Sequence, residues 1–404
     1  MVDKRGQGCS HPPSRYERIV LPDQEFLGNT LIRADLNSPI QNKEVQDNFR
    51  IVKAIENLEE IRLNSKSVTF LSHLGRPNGR DDKFSLKPVA KEMSNLLGEE
   101  IIFIDTIKNN EIKENLEKNP GRIFLLENLR FYDEELNNNL DFSQKVTSSF
   151  DTFILDAFGA AHRSHASIVS FGKYIKSYQG KLMTEEVENL NNLINSPQKP
   201  FTVLLGGAKI SDKLKLIDNL LPRVDHLLIG GGMCFTFLKA NGLNIGKSLC
   251  EDDYLETAQK ILNSNHGHKI HLPVDFGVTT SIESGLRKDK NIDNFSNDDI
   301  GVDISSETIQ KFGSILEKSK TVFWNGPMGI FENPNFKLGT EEITKKVSSL
   351  KAYTVVGGGD SVNAIKMFSN LSDFDHISTG GGASLKYLEG GQLPGVNIYN
   401  PLIL

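Results

Sequence analysis

Hydrophobic residues fall into short runs rich in Val, Ile, Leu and Phe, each closed by a polar or glycine-rich turn. Runs of this kind predict buried strands. They lie at residues 30–34, 67–71, 101–104, 123–126 and 152–155, and again at 201–205, 226–229, 269–272, 321–324, 353–356 and 376–378. Between them the apolar period lengthens to that of a helix, over 47–61, 88–97, 181–195 and 251–262. Strands alternating with helices predict parallel sheets and the α/β class. The sequence SPQKP at 196–200 interrupts the pattern after a long amphipathic helix. It marks a domain boundary and candidate hinge, separating residues 1–195 from 200–389. From 281 to 303 the chain is polar and poorly patterned, which predicts a surface excursion.

The turns after the predicted strands carry the candidate chemistry, because open α/β sheets place ligands at the C-terminal ends of their strands. In the first half these turns hold Asp35 and Asn37, then His73 and Arg76, then Arg130, then Arg163. Arg50 sits in the first turn of a predicted helix, where the helix dipole disfavours a cation. A solvated loop cation is the ordinary reading of any one of them. Together they suit an anion such as a phosphate or carboxylate.

In the second half the same turns hold glycines. Gly206-Gly207-Ala208-Lys209 leads on to Lys213, and Gly230-Gly231-Gly232, Gly357-Gly358-Gly359 and Gly380-Gly381-Gly382 each open toward a helix. Lys209 and Lys213, four apart, would share a helical face. The stretch 353–365, YTVVGGGDSVNAI, shows the logic best: Asp360 or Ser361 would cap a helix beginning near Val362. A strand that turns on glycines into a helix N-terminus offers unpaired N–H groups and no Cβ to block a phosphate. Asp360 adds a carboxylate suited to a Mg²⁺ ion riding on that phosphate. A tight turn alone would also explain each glycine cluster.

The chain has 404 residues, enough for two domains. Of 13 Arg residues, 11 precede residue 200, whereas the glycine clusters follow it. This divides the chain into an anion-gripping half and a phosphate-cradling half. The net charge of −6 gives no reason to expect nucleic acid or an acidic membrane as partner. Cys9, Cys234 and Cys250 have neither metal spacing nor an even disulfide set, which predicts a reducing, cytoplasmic setting. The first residues lack the apolar core of a signal peptide, and no run approaches the ~20 residues of a membrane span.

With its motifs in order, the chain resembles the phosphoglycerate kinases from about Leu31 to Val396. The segments are RADLNSP (33–39), SHLGRP (72–77), LLENLRF (125–131), DAFGAAHRSHAS (156–167), GGAKISDK (206–213), IGGGM (229–233), WNGPMGIFE (324–332), GGGDS (357–361) and STGGGASL (378–385). The resemblance implies two Rossmann-like, doubly wound parallel-sheet domains joined by a long hinge helix. The tail, about 390–404, would pack back onto the first domain. It implies a monomer that transfers a phosphoryl group between Mg²⁺–ATP and the carboxylate of 3-phosphoglycerate. Asp35, Asn37, His73, Arg76, Arg130 and Arg163 match the family's phosphoglycerate contacts. Arg50, Lys209, Gly359 and Gly382 match its catalytic set, with Arg50 also on the phosphoglycerate. Gly207, Ala208, Lys209, Lys213, Gly231, Asn325, Pro327, Glu332, Gly357, Gly358, Gly359, Asp360 and Ser361 match nucleotide contacts, and Asp360 the metal ligand.

Departures are few. Ala34 and Ser38 stand where the family usually has Val, and Ser361 where it has Thr. The family's Asp-x-Gly-Pro segment corresponds to Asp303-Ile304-Ser305-Ser306, so a glycine on which adenine would lie is replaced, an expectation of altered nucleotide affinity or base choice. Two rival readings compete with this one. A non-catalytic paralogue acting as a regulator is disfavoured because every charged catalytic position is intact. A dinucleotide oxidoreductase is disfavoured by the glycine spacing and the Lys pair.

Overall fold

The computed structural model describes residues 26–283 and 285–397. The polar N-terminal stretch to about Arg15 and the last residues of the tail lie outside them. The described chain contains strands β1 (Gly28–Ala34), β2 (Ile40–Gln41), β3 (Glu44–Val45), β4 (Ser65–Leu71), β5 (Ile102–Ile104), β6 (Ile123–Leu126), β7 (Thr152–Asp156) and β8 (Lys176–Gln179). After the Lys181–Asn195 helix come β9 (Phe201–Leu205), β10 (His226–Ile229), β11 (Ile270–His271), β12 (Asp275–Thr279), β13 (Lys288–Asn291), β14 (Ile300–Ile304), β15 (Thr321–Asn325), β16 (Tyr353–Gly357) and β17 (His376–Ile377).

Two six-stranded parallel sheets result, ordered β5-β6-β4-β1-β7-β8 and β11-β10-β9-β15-β16-β17. This is the predicted two-domain α/β architecture. Register aligns the strand ends that matter. Arg33 is opposite Leu71 and Leu155 in the first sheet, and Asn325 is opposite Leu205 and Gly357 in the second. The turns after β1, β4 and β7 therefore share one edge, as do those after β9, β15 and β16. The strands are apolar on both faces, as helices on each side of a parallel sheet require. One buried cluster runs from Leu31 and Phe153 through Leu190 of the Lys181–Asn195 helix to Phe323 and Val355. A second, around Ile32, Phe70 and Met93, fills the other face of the first sheet.

Several expectations are corrected. The helix expected over 47–61 is two helices, Phe49–Ile55 and Leu58–Leu63, because Asn57 leaves helical φ/ψ. The expected surface excursion at 281–303 contributes β13 and β14 to an antiparallel sheet with β12 in the centre. Ion pairs hold the polar segment to it, with Lys290 at 2.7 Å from Asp299 and Arg287 at 2.9 Å from Asp303. The helix after β16 starts at Gly359, not Val362, and its N-cap is Gly358 at φ 94°, not Asp360 or Ser361. The helix after β9 starts only at Leu214, so Lys209 and Lys213 both precede it and share no helical face.

Candidate functional site

In the first domain, the chain leaving β1 turns through Asp35 and Asn37. Gly75 N donates to Asn37 Oδ1 at 2.9 Å, which pins the β4 loop to the β1 loop. Asn128, after β6, ties in a third loop. Its side chain accepts from Leu74 N (3.1 Å) and Arg130 N (3.0 Å) and donates to Leu74 O and Phe84 O, both at 2.8 Å. Asn37 and Asn128 thus fasten together the loops that carry His73, Arg76 and Arg130, and the Asp35 carboxylate draws on both Arg130 and Arg163. The electrostatics show how closely these cations crowd. Burial, then Arg163, Arg33 and Arg76, push the Arg130 guanidinium down to about 10. Arg163 is lowered by burial and by Arg76. His73 is held well below the usual imidazole range by burial and by Arg33, Arg130, Arg163 and Arg50. His165 falls to about 4 for the same reasons, burial first and then Arg130 and Arg163. Like charges crowded around the buried His73 and Arg130 are costly unless an anion completes the set.

Arg50 stands at the edge of this cluster. Its Nη1 meets Asp35 Oδ2 at 3.2 Å and Asn37 O at 3.3 Å, and its Nη2 lies 3.8 Å from where a Cβ on Gly381 would sit. Gly381 belongs to the second domain, so Arg50 faces across a cleft of about 300 Å³ lined also by Gly358, Gly359 and Thr379. Lys366 and Asp47 bridge the same cleft at 2.6 Å.

In the second domain, three loops interlock through their glycines. Gly206 N donates to Asn325 O (2.9 Å), Gly207 N to Pro327 O (3.1 Å) and Gly231 N to Met328 O (3.1 Å). A Cβ on Gly206 or Gly231 would strike Pro327 O or Gly207 N within 2.6 Å, so these two glycines serve backbone packing. Gly207, Gly359 and Gly382 differ: a Cβ on any of them would meet nothing within 4 Å and would project into open space. Asn325 donates to Gly357 O at 2.7 Å and accepts from Lys213 Nζ. Ser361 Oγ accepts from Gly326 N at 2.7 Å. Burial lowers the Lys213 ammonium, against the pull of Asp212, Glu389 and Asp360. Lys209 is exposed on its loop and makes no hydrogen bond or ion pair among the described residues.

A cavity of about 520 Å³ adjoins these loops. Gly207, Ala208, Gly231, Pro327, Glu332 and Asp360 line it, together with the apolar Phe235, Leu249, Phe276 and Ile282. Flat apolar walls beside a glycine cradle suit a purine nucleotide. Ser305 does not line this cavity. It is buried at the N-cap of the Ser306–Leu316 helix, and Gly301 of β14 lies on the cavity wall instead. The expectation that Ser305 alters base contact loses its geometric basis. Among the described residues no group of three or more His, Cys, Asp or Glu side chains could hold a metal unaided. The exposed Asp360 carboxylate, at a helix start on the cavity wall, fits a divalent ion that takes its other ligands from nucleotide oxygens and water.

Sequence reasoning gave no role to Arg33, which is 1% exposed beneath the cation cluster. Its signal was a lone charge within an otherwise apolar strand. Asn128 was equally silent, since its work is done through backbone partners.

A crowded cation cluster and a glycine-lined cavity at the strand ends of two α/β domains fit the class of phosphotransferases. The comparisons agree. The model of the phosphoglycerate kinase family matches residues 24–391. The phosphoglycerate kinase of Finegoldia magna is 44% identical over 374 residues, 91% of this chain and 95% of that protein. That of Dictyoglomus turgidum is 44% identical over 384 residues, 94% and 97% of the two chains. The solved structure of phosphoglycerate kinase from Coxiella burnetii superposes with a TM-score of 0.83 at 35% identity, covering 95% of this chain and 98% of its own. The chain belongs to the phosphoglycerate kinase family.

Proposed function

We propose that the chain moves a phosphoryl group reversibly between ATP and the carboxylate of 3-phosphoglycerate, giving ADP and 1,3-bisphosphoglycerate. The observation that carries this reading is that Arg50, at the edge of the cation cluster, faces Gly358, Gly359 and Gly381 of the second domain across one cleft. Arg76, Arg130, Arg163 and His73 hold the acceptor's phosphate, and Asp35 and Asn37 its hydroxyl and carboxylate end. The carboxylate is already ionised, so no general base is needed. One of its oxygens attacks the terminal phosphorus as the bridging P–O bond to ADP breaks. Arg50 and Lys209 place positive charge on the transferring oxygens, and the N–H groups at Gly359 and Gly382 add fixed dipoles. Gly357, Gly358 and Ser361 shape the phosphate cradle, while Lys213, Asn325, Pro327 and Glu332 orient the nucleotide beside Gly207, Ala208 and Gly231. A Mg²⁺ ion on Asp360 would neutralise charge on the nucleotide phosphates.

The two half-sites belong to residues 1–195 and 200–389, and the Lys181–Asn195 helix with 196–200 serves as the hinge. Contacts from the first two turns of that helix to both halves support this. Asp156 Oδ1 accepts from Met183 N at 2.9 Å, and Glu186 accepts from Thr379 N and Oγ1 at 2.6 and 2.7 Å. The tail supports the same division, since Gly395 N donates to Ala161 O at 2.9 Å. Closing the hinge brings two anions together and expels water that would compete as acceptor. The described cysteines are unpaired, and we read the enzyme as a cytoplasmic monomer without nucleic-acid partners. Calorimetric titration tests the division of labour. Asp360→Ala should weaken Mg²⁺–ATP binding and leave 3-phosphoglycerate binding intact; equal loss of both would refute it.

A further inference from the structure

Arg33 ends a chain of hydrogen bonds with only one possible direction. The Glu135 carboxylate accepts from Ser167 N at 2.8 Å and from Ser167 Oγ at 2.6 Å. The Ser167 oxygen, its proton so committed, accepts from Arg33 Nε at 3.0 Å. Arg33 Nη1 donates to Ala34 O, and Arg33 Nη2 lies 3.1 Å from His73 Nδ1. A guanidinium has donors and no acceptor. His73 Nδ1 must therefore accept, and it can do so only without a proton of its own. His73 Nε2 makes no hydrogen bond among the described residues.

We propose that Arg33 is a positioning residue that holds His73 as the neutral tautomer protonated on Nε2, so that the anion site presents an uncharged N–H donor beside its arginines. The charges that act on His73 are cations, Arg33 from β1, Arg50 from the Phe49–Ile55 helix, Arg130 from the turn after β6 and Arg163 from the loop after β7, and the Asp35 carboxylate just past β1 interacts with the same four arginines. A second proton on His73 would point an N–H at Arg33 Nη2 and add one more charge to this set. The site thereby gains a directional donor without adding to its own repulsion, and the charge His73 presents to the ligand stays fixed as pH varies near neutrality. This consequence rests on the phosphoglycerate reading above, whereas the tautomer does not.

Nitrogen–proton correlation spectra of the full ¹⁵N-histidine-labelled chain test the tautomer directly, with His73 assigned by His73→Gln. From about pH 5.5 to 8, the range in which an ordinary imidazole titrates, Nδ1 should resonate as an unprotonated ring nitrogen and Nε2 as an N–H. A protonated Nδ1, or titration of His73 with an ordinary midpoint, would overturn the proposal whether or not the chain binds phosphoglycerate. In Arg33→Met, His73 should begin to titrate. The ratio of variant to wild-type Kd for 3-phosphoglycerate should then fall roughly tenfold from pH 8 to 5.5, the effect of about one pKa unit. A ratio raised equally at every pH would mean that Arg33 only supports the fold, and would overturn its positioning role.

Discussion

Adding one methyl group to Gly359 separates a ligand cradle from a tight turn. Gly359 is the first residue of its helix, and a Cβ there would meet nothing within 4 Å. Gly359→Ala should therefore fold without strain. By restricting the unfolded chain it should add about 0.4–1 kcal/mol of stability, a rise of about 1–4 °C in Tm for a domain of this size. The same methyl projects into the cleft where the transferring phosphate must approach the helix N-terminus. Misplacing an anion on one preorganised donor set costs about 2.7–4 kcal/mol, so kcat should fall roughly 10²–10³-fold. The neighbouring glycine is the control. Gly358 has φ 94°, and a Cβ on it would lie 2.7 Å from Asn325 Nδ2. Gly358→Ala should lose stability by about 1–3 kcal/mol through backbone strain. The assays are differential scanning calorimetry and steady-state kinetics on the same preparations. Wild-type kinetics in Gly359→Ala would show that the glycine serves only the turn. A fall in Tm along with kcat would show that the open space is not there.

Three further outcomes are expected. Arg50→Ala should lower kcat roughly 10²-fold or more, as loss of one preorganised transition-state donor does, while calorimetry finds 3-phosphoglycerate binding little changed; an unchanged kcat would refute its role. Ser305→Gly should leave the KM for ATP unchanged, because Ser305 is buried at a helix cap away from the cavity; a changed KM would restore the adenine contact. Asp156, pushed up to about 7 by burial and by Glu185 and Glu186 against the Met183 N–H, binds its proton more tightly folded than unfolded. Its contribution to stability is thus full below about pH 4, the unfolded value, and lost as pH rises through 7, so the Tm of Asp156→Asn should decline less than wild type over that window.

The parallel sheets were readable because their strands are buried on both faces and appear as uninterrupted apolar runs. The segments at 123–126, 201–205 and 226–229 coincide with β6, β9 and β10, and 181–195 with its helix. The β12–β14 sheet was unreadable for the converse reason. Lys288–Asn291 carries polar side chains throughout and pairs only in three dimensions, with β12 beside it. The helix start at Gly359 was missed because backbone geometry at Gly358, not a capping side chain, sets it. Site residues such as Arg130 and His73 were legible as charges after strands. Arg33 was not, because its partners Ser167 and Glu135 lie far along the chain and meet it only once β1 and β7 pair.

The central claim is that the two half-sites cooperate in one phosphoryl transfer. A coupled assay with purified protein, Mg²⁺, ATP and 3-phosphoglycerate, following reduction of the acyl phosphate formed, tests it most directly. Turnover that requires all three is predicted. No turnover while calorimetry still detects phosphoglycerate binding would contradict it and point to a regulatory protein instead.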